Sequence, residues 1–166
     1  MTSDLDVRAR RHLLRPDGQE DVTAPDDAHR AARLSNLSAT LRARFRHGGA
    51  RRDLDHAETA IRLAVETTPS DDRRRAGRLA NLAAVLLARF DVSGEGPVLD
   101  EALAASRASI AATRGDDVDL PGRLSNLVAL LLTGFERGGS VQTWMRRSRS
   151  AAGPWGWRPA VSSSGG

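Results

Sequence analysis

Cysteine, lysine and tyrosine are all absent from this chain of 166 residues. Without cysteine there is no disulfide, no thiolate metal site and no thiol nucleophile. Without lysine, all 25 basic residues are arginine. Such a bias fits a GC-rich genome as well as any functional demand, so no mechanism follows from it. Isoleucine occurs twice and aromatic residues make up only 4%, a composition that opposes strands. Long apolar runs are missing too, and no stretch approaches a membrane span. Arg10-Arg11 superficially resembles a twin-arginine export signal, but Arg15, Pro16, Asp17 and Gly18 stand where an apolar run is required. The expectation is a cytoplasmic protein with no membrane partner.

Catalytic signatures are equally scarce. There is no glycine-rich phosphate loop, no nucleophile elbow and no His-Glu zinc motif. None of the four histidines, His12, His29, His47 and His56, pairs with another at helical spacing. The chain is therefore read as no enzyme, with no catalytic residue, no metal and no cofactor. The net charge of +4 invites a nucleic-acid reading. Its distribution opposes one. Arg146, Arg147, Arg149 and Arg158 lie after residue 143, where there are no acids; the remaining 21 arginines face 21 acids.

What is present is alanine, leucine and arginine, all strong helix formers, in a repeat. Arg33-Leu34-Ser35-Asn36-Leu37 recurs as Arg78-Leu79-Ala80-Asn81-Leu82 and as Arg123-Leu124-Ser125-Asn126-Leu127, each 45 residues on. Phe45, Phe90 and Phe135 keep that spacing, as do Gly49, Gly94 and Gly139, and the pairs Asp26-Asp27, Asp71-Asp72 and Asp116-Asp117. Three units thus start at residues 26, 71 and 116. Residues 1–25 read as a degenerate half-repeat, 26–142 as the array and 143–166 as a divergent tail.

Each unit opens with a helix, expected near 27–47, 72–91 and 117–136, with the Asp pair as N-cap. Leu34, Leu37, Leu41 and Phe45 form one apolar stripe at spacings of three and four. Leu79, Leu82, Leu86 and Phe90 repeat it, as do Leu124, Leu127, Leu131 and Phe135. The aligned glycines suit a left-handed stop. Second helices are expected near 53–67 and 98–112. Leu54, Ala57, Ile61, Ala64 and Val65 form the apolar face of one, and Leu99, Ala102, Ser106 and Ile110 that of the other. Pro97 suits a first helical turn and Pro69 an exit loop. One helix pair cannot bury its apolar face alone, whereas stacked pairs can.

Asn36-Leu37, then Asp53-Leu54-Asp55-His56-Ala57, then Ala64-Val65 and Pro69 resemble the tetratricopeptide repeat. Ala57 and Ala102 match its first alanine and Ala64 its second; Ser109 and Arg114 depart from that second alanine and from the closing proline. The usual unit is shorter. The long unit is similar to arrays of actinobacterial proteins that also carry a caspase-like (CHAT) peptidase domain, which is absent here. The resemblance implies an all-α, right-handed solenoid of antiparallel helix pairs that serves as a protein–protein interaction scaffold or sensor array. It also implies that first helices line a concave face.

A ladder lies beside the apolar stripe: Arg33, Asn36 and Arg44, then Arg78, Asn81 and Arg89, then Arg123 and Asn126, with Gly134 at the last position. On a concave face it would grip an acidic peptide or a carboxylate by paired hydrogen bonds. The alternative is that asparagine links neighbouring repeats and arginine is solvated or salt-bridged. RNA binding by helical repeats is the competing function, opposed by the neutral array and by a ladder without aromatics. A non-functional truncated product is a further reading.

From residue 140 the third unit matches neither earlier one. The family pattern expects Asp-Leu-Asp-x-Ala over 143–147, but the chain reads Thr143-Trp144-Met145-Arg146-Arg147. Trp and Met each have one codon, so TGGATG is certain. Codons begun one base earlier can read Asp-Leu-Asp-Glu-Ala, the missing motif. The tail is accordingly read as an out-of-frame version of an ordinary repeat and as largely disordered; a natural divergent cap is the alternative. Leu124, Leu127, Leu131 and Phe135 would then be partly exposed, favouring self-association.

Overall fold

A computed structural model describes residues 25–138. The N-terminal half-repeat, Gly139 and the tail lie outside these described residues. Five helices account for the regular structure: α1 (Pro25–Arg46), α2 (Arg51–Glu66), α3 (Arg74–Ser93), α4 (Gly96–Ala111) and α5 (Leu120–Gly138). The described residues are all-α and contain no strand. No helix among them is long and apolar enough to cross a membrane.

The helix starts correct one expectation. The N-cap of α3 is Arg73, with no side-chain cap bond, not the Asp pair. Asp72 acts from just outside: its carboxylate accepts the Arg74 N–H at 2.8 Å and its carbonyl accepts that of Arg75 at 2.9 Å. Asp117 does the same before α5, accepting the Asp119 N–H at 2.9 Å on its side chain and the Leu120 N–H at 3.0 Å on its carbonyl. Each is a side-chain turn that leads into the helix, so α3 and α5 begin two to three residues late. Pro97 sits in the first turn of α4, where its missing N–H costs nothing.

The aligned glycines also divide. Gly94 ends α3 at φ 69°, the left-handed stop that was expected, and its N–H meets the Phe90 carbonyl at 2.7 Å. After α1 the positive φ of 91° belongs to Gly48, not Gly49. Gly49 is needed for space instead, because an added Cβ would lie 2.6 Å from Asp53 Oδ2 and 2.7 Å from the Arg44 carbonyl oxygen.

Short connections fold α2 back on α1 and α4 back on α3, and these pairs make the densest contacts. α2 also packs on α3 and α4 on α5, while α3 touches both α1 and α5. One continuous core gathers Leu41, Leu54, Ala57, Ile61 and Ala64 with Leu82, Leu86, Phe90, Leu99, Ala102, Leu103 and Leu130. Ala57, Ala64 and Ala102 are fully buried, which lets the paired helices approach closely. Ser109, the departure from alanine, is buried as well and donates to the Ala76 carbonyl at 2.7 Å. Of the three apolar stripes only that of α3 is buried throughout, because among the described first helices α3 alone has others packed on both sides. Leu37 of α1 is exposed, as are Leu124 and Phe135 of α5.

Ser38 is the one buried side-chain polar atom among the described residues without a hydrogen-bond partner. Its repeat counterpart is Ala83, also buried. Ser38→Ala should therefore stabilise the protein by about 1 kcal/mol, since an unsatisfied buried hydroxyl costs about that much. A lower urea midpoint for Ser38→Ala would contradict this.

Candidate binding groove

The repeat register projects onto a groove of about 530 Å³ across α1, α3 and α5. It is lined by Ala32, Ser35 and Asn36 of α1, by Arg74, Gly77, Arg78, Ala80 and Asn81 of α3, and by Asp119, Gly122, Arg123 and Asn126 at α5. Positions separated by three and four share a helix face. Asn36, Asn81 and Asn126 therefore come together because they occupy one repeat position on one face of three packed helices. Ala32, Gly77 and Gly122 form another such row. A Cβ added at Gly77 or Gly122 meets no atom within 4 Å, so these small residues keep the groove open.

The ladder foreseen in the sequence splits into three parts. The asparagines line the groove. Asn81 donates to Ser35 Oγ at 3.1 Å and ties α3 to α1. Asn126 faces Ala80 in the equivalent place, which has no hydroxyl to offer. Arg78 and Arg123 line the groove too but are buried. Each turns back to the end of the preceding second helix: Arg78 Nη1 donates to Thr68 Oγ1 and Arg123 Nη1 to Thr113 Oγ1. Burial pushes the Arg78 pKa below its ordinary value, with Asp72 opposing. Arg123 also meets Asp117 at 3.3 Å and Asp119 at 3.2 Å. Arg33 has no described helix before it to anchor and is exposed.

Arg44 and Arg89 lie away from the groove. Arg44 donates through Nε to Asp53 Oδ2 at 2.9 Å and through Nη2 to Oδ1. The counterpart of Asp53 in the next unit is Val98, so Arg89 cannot copy that pair. It reaches the preceding second helix instead, at 2.6 Å from Asp55 and 3.2 Å from Glu58. Asn81 thus links neighbouring helices, and Arg44 and Arg89 are salt-bridged.

Sequence reasoning missed Arg74, Gly77, Gly122, Ser35 and Asp119 as groove residues. Their signal was present: Arg74, Gly77, Gly122 and Asp119 each lie four positions before a ladder residue, Ser35 adjoins Asn36, and the row Ala32, Gly77, Gly122 keeps the 45-residue spacing. It also missed Arg62, which joins α2 to α4 through Glu101 at 2.6 Å and holds Glu58 at 2.7 Å. Those carboxylates raise the Arg62 pKa above its ordinary value.

The groove offers amides, one exposed cation and one exposed carboxylate. Arg74 stands 3.9 Å from Asp72 with most of its side chain in solvent, and Asp119 is similarly exposed. Asn36 and Asn126 make no side-chain hydrogen bond to another described residue. An amide both donates and accepts, as does a peptide backbone. Packed helices stand about 8–10 Å apart, and three residues of extended chain span about 10 Å. Amides on successive helices thus match every third residue of an extended peptide. No aromatic side chain lines the groove among the described residues, so it offers no aromatic platform for bases. Among the described residues, no group of three or more His, Asp or Glu side chains could hold a metal ion. No family model, curated protein or solved structure matches this chain.

Proposed function

We propose that the chain is a tetratricopeptide-like scaffold that binds an extended segment of a partner protein across α1, α3 and α5. The observation that carries this reading is the row Asn36, Asn81 and Asn126 in one groove above Gly77 and Gly122. The bare amides of Asn36 and Asn126 recognise backbone, Asn81 keeps its carbonyl oxygen as an acceptor, and the glycines leave room for the ligand to approach. Arg74 adds a preference for an acidic side chain in the ligand. Helix pairs in contact with the next pair support a stacked array. Arg78 and Arg123 hold that array together and are not ligand contacts. A charge reversal at Arg78 would therefore report on folding rather than on binding.

A random linear-peptide library selected against the full chain tests the reading. Enriched peptides should bind at least about tenfold more weakly, or about 1.4 kcal/mol, to Gly77→Leu and to Asn36→Ala/Asn126→Ala. Gly77→Leu fills the groove while improving helix propensity, so its fold should be intact. Ligands that bind all three proteins equally would reject the groove. Steeply salt-dependent binding of RNA homopolymers would favour nucleic acid instead.

A further inference from the structure

The face of α3 that carries Leu79, Ala83, Leu87 and Phe90 is largely covered, whereas the equivalent face of α5 is exposed among the described residues. Leu79, Ala83 and Phe90 of α3 are 2%, 3% and 3% exposed. Their counterparts in α5, Leu124, Val128 and Phe135, are 45%, 52% and 49% exposed. Leu132, the counterpart of half-buried Leu87, reaches 56%. Charge does not explain this face, because the sole charged residue between Pro121 and Phe135 is Arg123, which is buried. A bare, uncharged apolar stripe of this extent marks an interface.

The two complete pairs specify what covers it. In α2 the contact residues are Leu54, Ala57, Ile61 and Ala64; in α4 they are Leu99, Ala102, Ser106 and Ser109, all buried. Both helices place a leucine first and small residues three and ten positions later, which allows close approach to large side chains on the first helix. The frame begun one base earlier can read Asp-Leu-Asp-Glu-Ala over 143–147, aligned with Asp53–Ala57.

We propose that the α5 face is a docking site for an amphipathic helix of the α2 type, supplied by a separate polypeptide segment. The occupant continues the internal packing already seen twice, with a leucine and two small residues at spacings of three and seven. Leu124, Val128, Leu132 and Phe135 provide the receiving surface.

The test adds a fluorescent peptide with the α2 sequence, Arg51–Glu66, to the full chain. Anisotropy follows binding and sedimentation velocity follows size. The expected result is saturable one-to-one binding that weakens at least tenfold in Val128→Glu/Leu132→Glu. That double variant changes only exposed side chains, so its circular dichroism and urea midpoint should stay close to those of the parent. A control peptide carrying Ala57→Leu and Ala64→Leu should not bind. No saturable binding of the α2 peptide up to about 1 mM, a free energy of roughly −4 kcal/mol, overturns the proposal. So does equal binding of the control peptide or of the double variant. A dimer that the double variant dissociates and the α2 peptide does not would assign the face to a second copy of this chain instead.

Discussion

Leu82→Ala should lower the unfolding free energy by about 3–5 kcal/mol, whereas Leu37→Ala should cost less than about 1 kcal/mol. Both leucines follow the motif asparagine, and in sequence they are the same position. Leu82 is 0% exposed in the central core, but Leu37 is 49% exposed. Deleting a buried leucine loses its transfer free energy and leaves a cavity that neighbours fill only partly. Leu82 has Leu86, Leu103 and Leu130 in its cluster, so little collapse is available. No described helix packs on that side of α1, and truncating Leu37 opens no cavity. Leu127→Ala should fall between the two, because Leu127 is partly buried against the same core. Urea midpoints of the three variants check the order. Equal costs at Leu37 and Leu82 would mean that another element covers α1 in solution.

Gly49→Ala should cost about 2–3 kcal/mol, within the usual range for overpacking, and Gly49→Asn at least as much. The aligned Gly94 should behave differently. Its φ of 69° strains an alanine, yet nothing lies within 4 Å of an added Cβ. Gly94→Ala should cost about 1–2 kcal/mol, and Gly94→Asn less, since asparagine tolerates the left-handed conformation. At Gly49 the obstacle is contact rather than conformation. The Arg44 carbonyl there accepts the Gly49 N–H at 3.0 Å, and Asp53 Oδ2 is held by Arg44 and by the Ala50 N–H at 3.1 Å. Neither atom can move without breaking a hydrogen bond. Rescue of Gly49→Ala by Asn would refute the steric account; thermal denaturation of the four variants decides it.

The same turn gives a pH signature. Hydrogen bonds from Arg44 hold the Asp53 carboxyl below the usual carboxylate range; burial opposes, while the Arg44 charge and the Ala50 N–H add to the lowering. A folded pKa below the unfolded one gives stability that is present above the unfolded value and lost as pH falls through the folded one. The protein should therefore lose stability below about pH 4, and Asp53→Asn should be less stable at neutral pH with a shallower loss in acid. Parallel acid-unfolding curves for the two proteins would remove Asp53 from this role.

The helices of the described residues and their order were legible in the sequence, to within two or three residues at each start. Helix periodicity and small-residue spacing are local properties, and a 45-residue repeat states them three times over. It also placed the three asparagines on equivalent faces. What it could not assign was which side of each helix meets another. Arg33, Arg78 and Arg123 look alike in sequence, yet Arg78 and Arg123 are buried anchors on the described second helices before them, whereas Arg33, with no described helix before it, is exposed. Arg44 and Arg89 look alike too, yet Arg44 pairs with Asp53 of the second helix that follows it, while Arg89, with Val98 in the equivalent place, turns back to Asp55 and Glu58 of the second helix before it. Gly49 and Gly94 share a position and differ in purpose for the same reason, since only Gly49 has a carboxylate folded over it. Periodicity fixes the face of a helix; burial and partner are fixed by neighbours in space. Only packing in space therefore places Leu82 in the core, leaves Leu37 outside it, and exposes the α5 face of Leu124, Val128, Leu132 and Phe135 among the described residues.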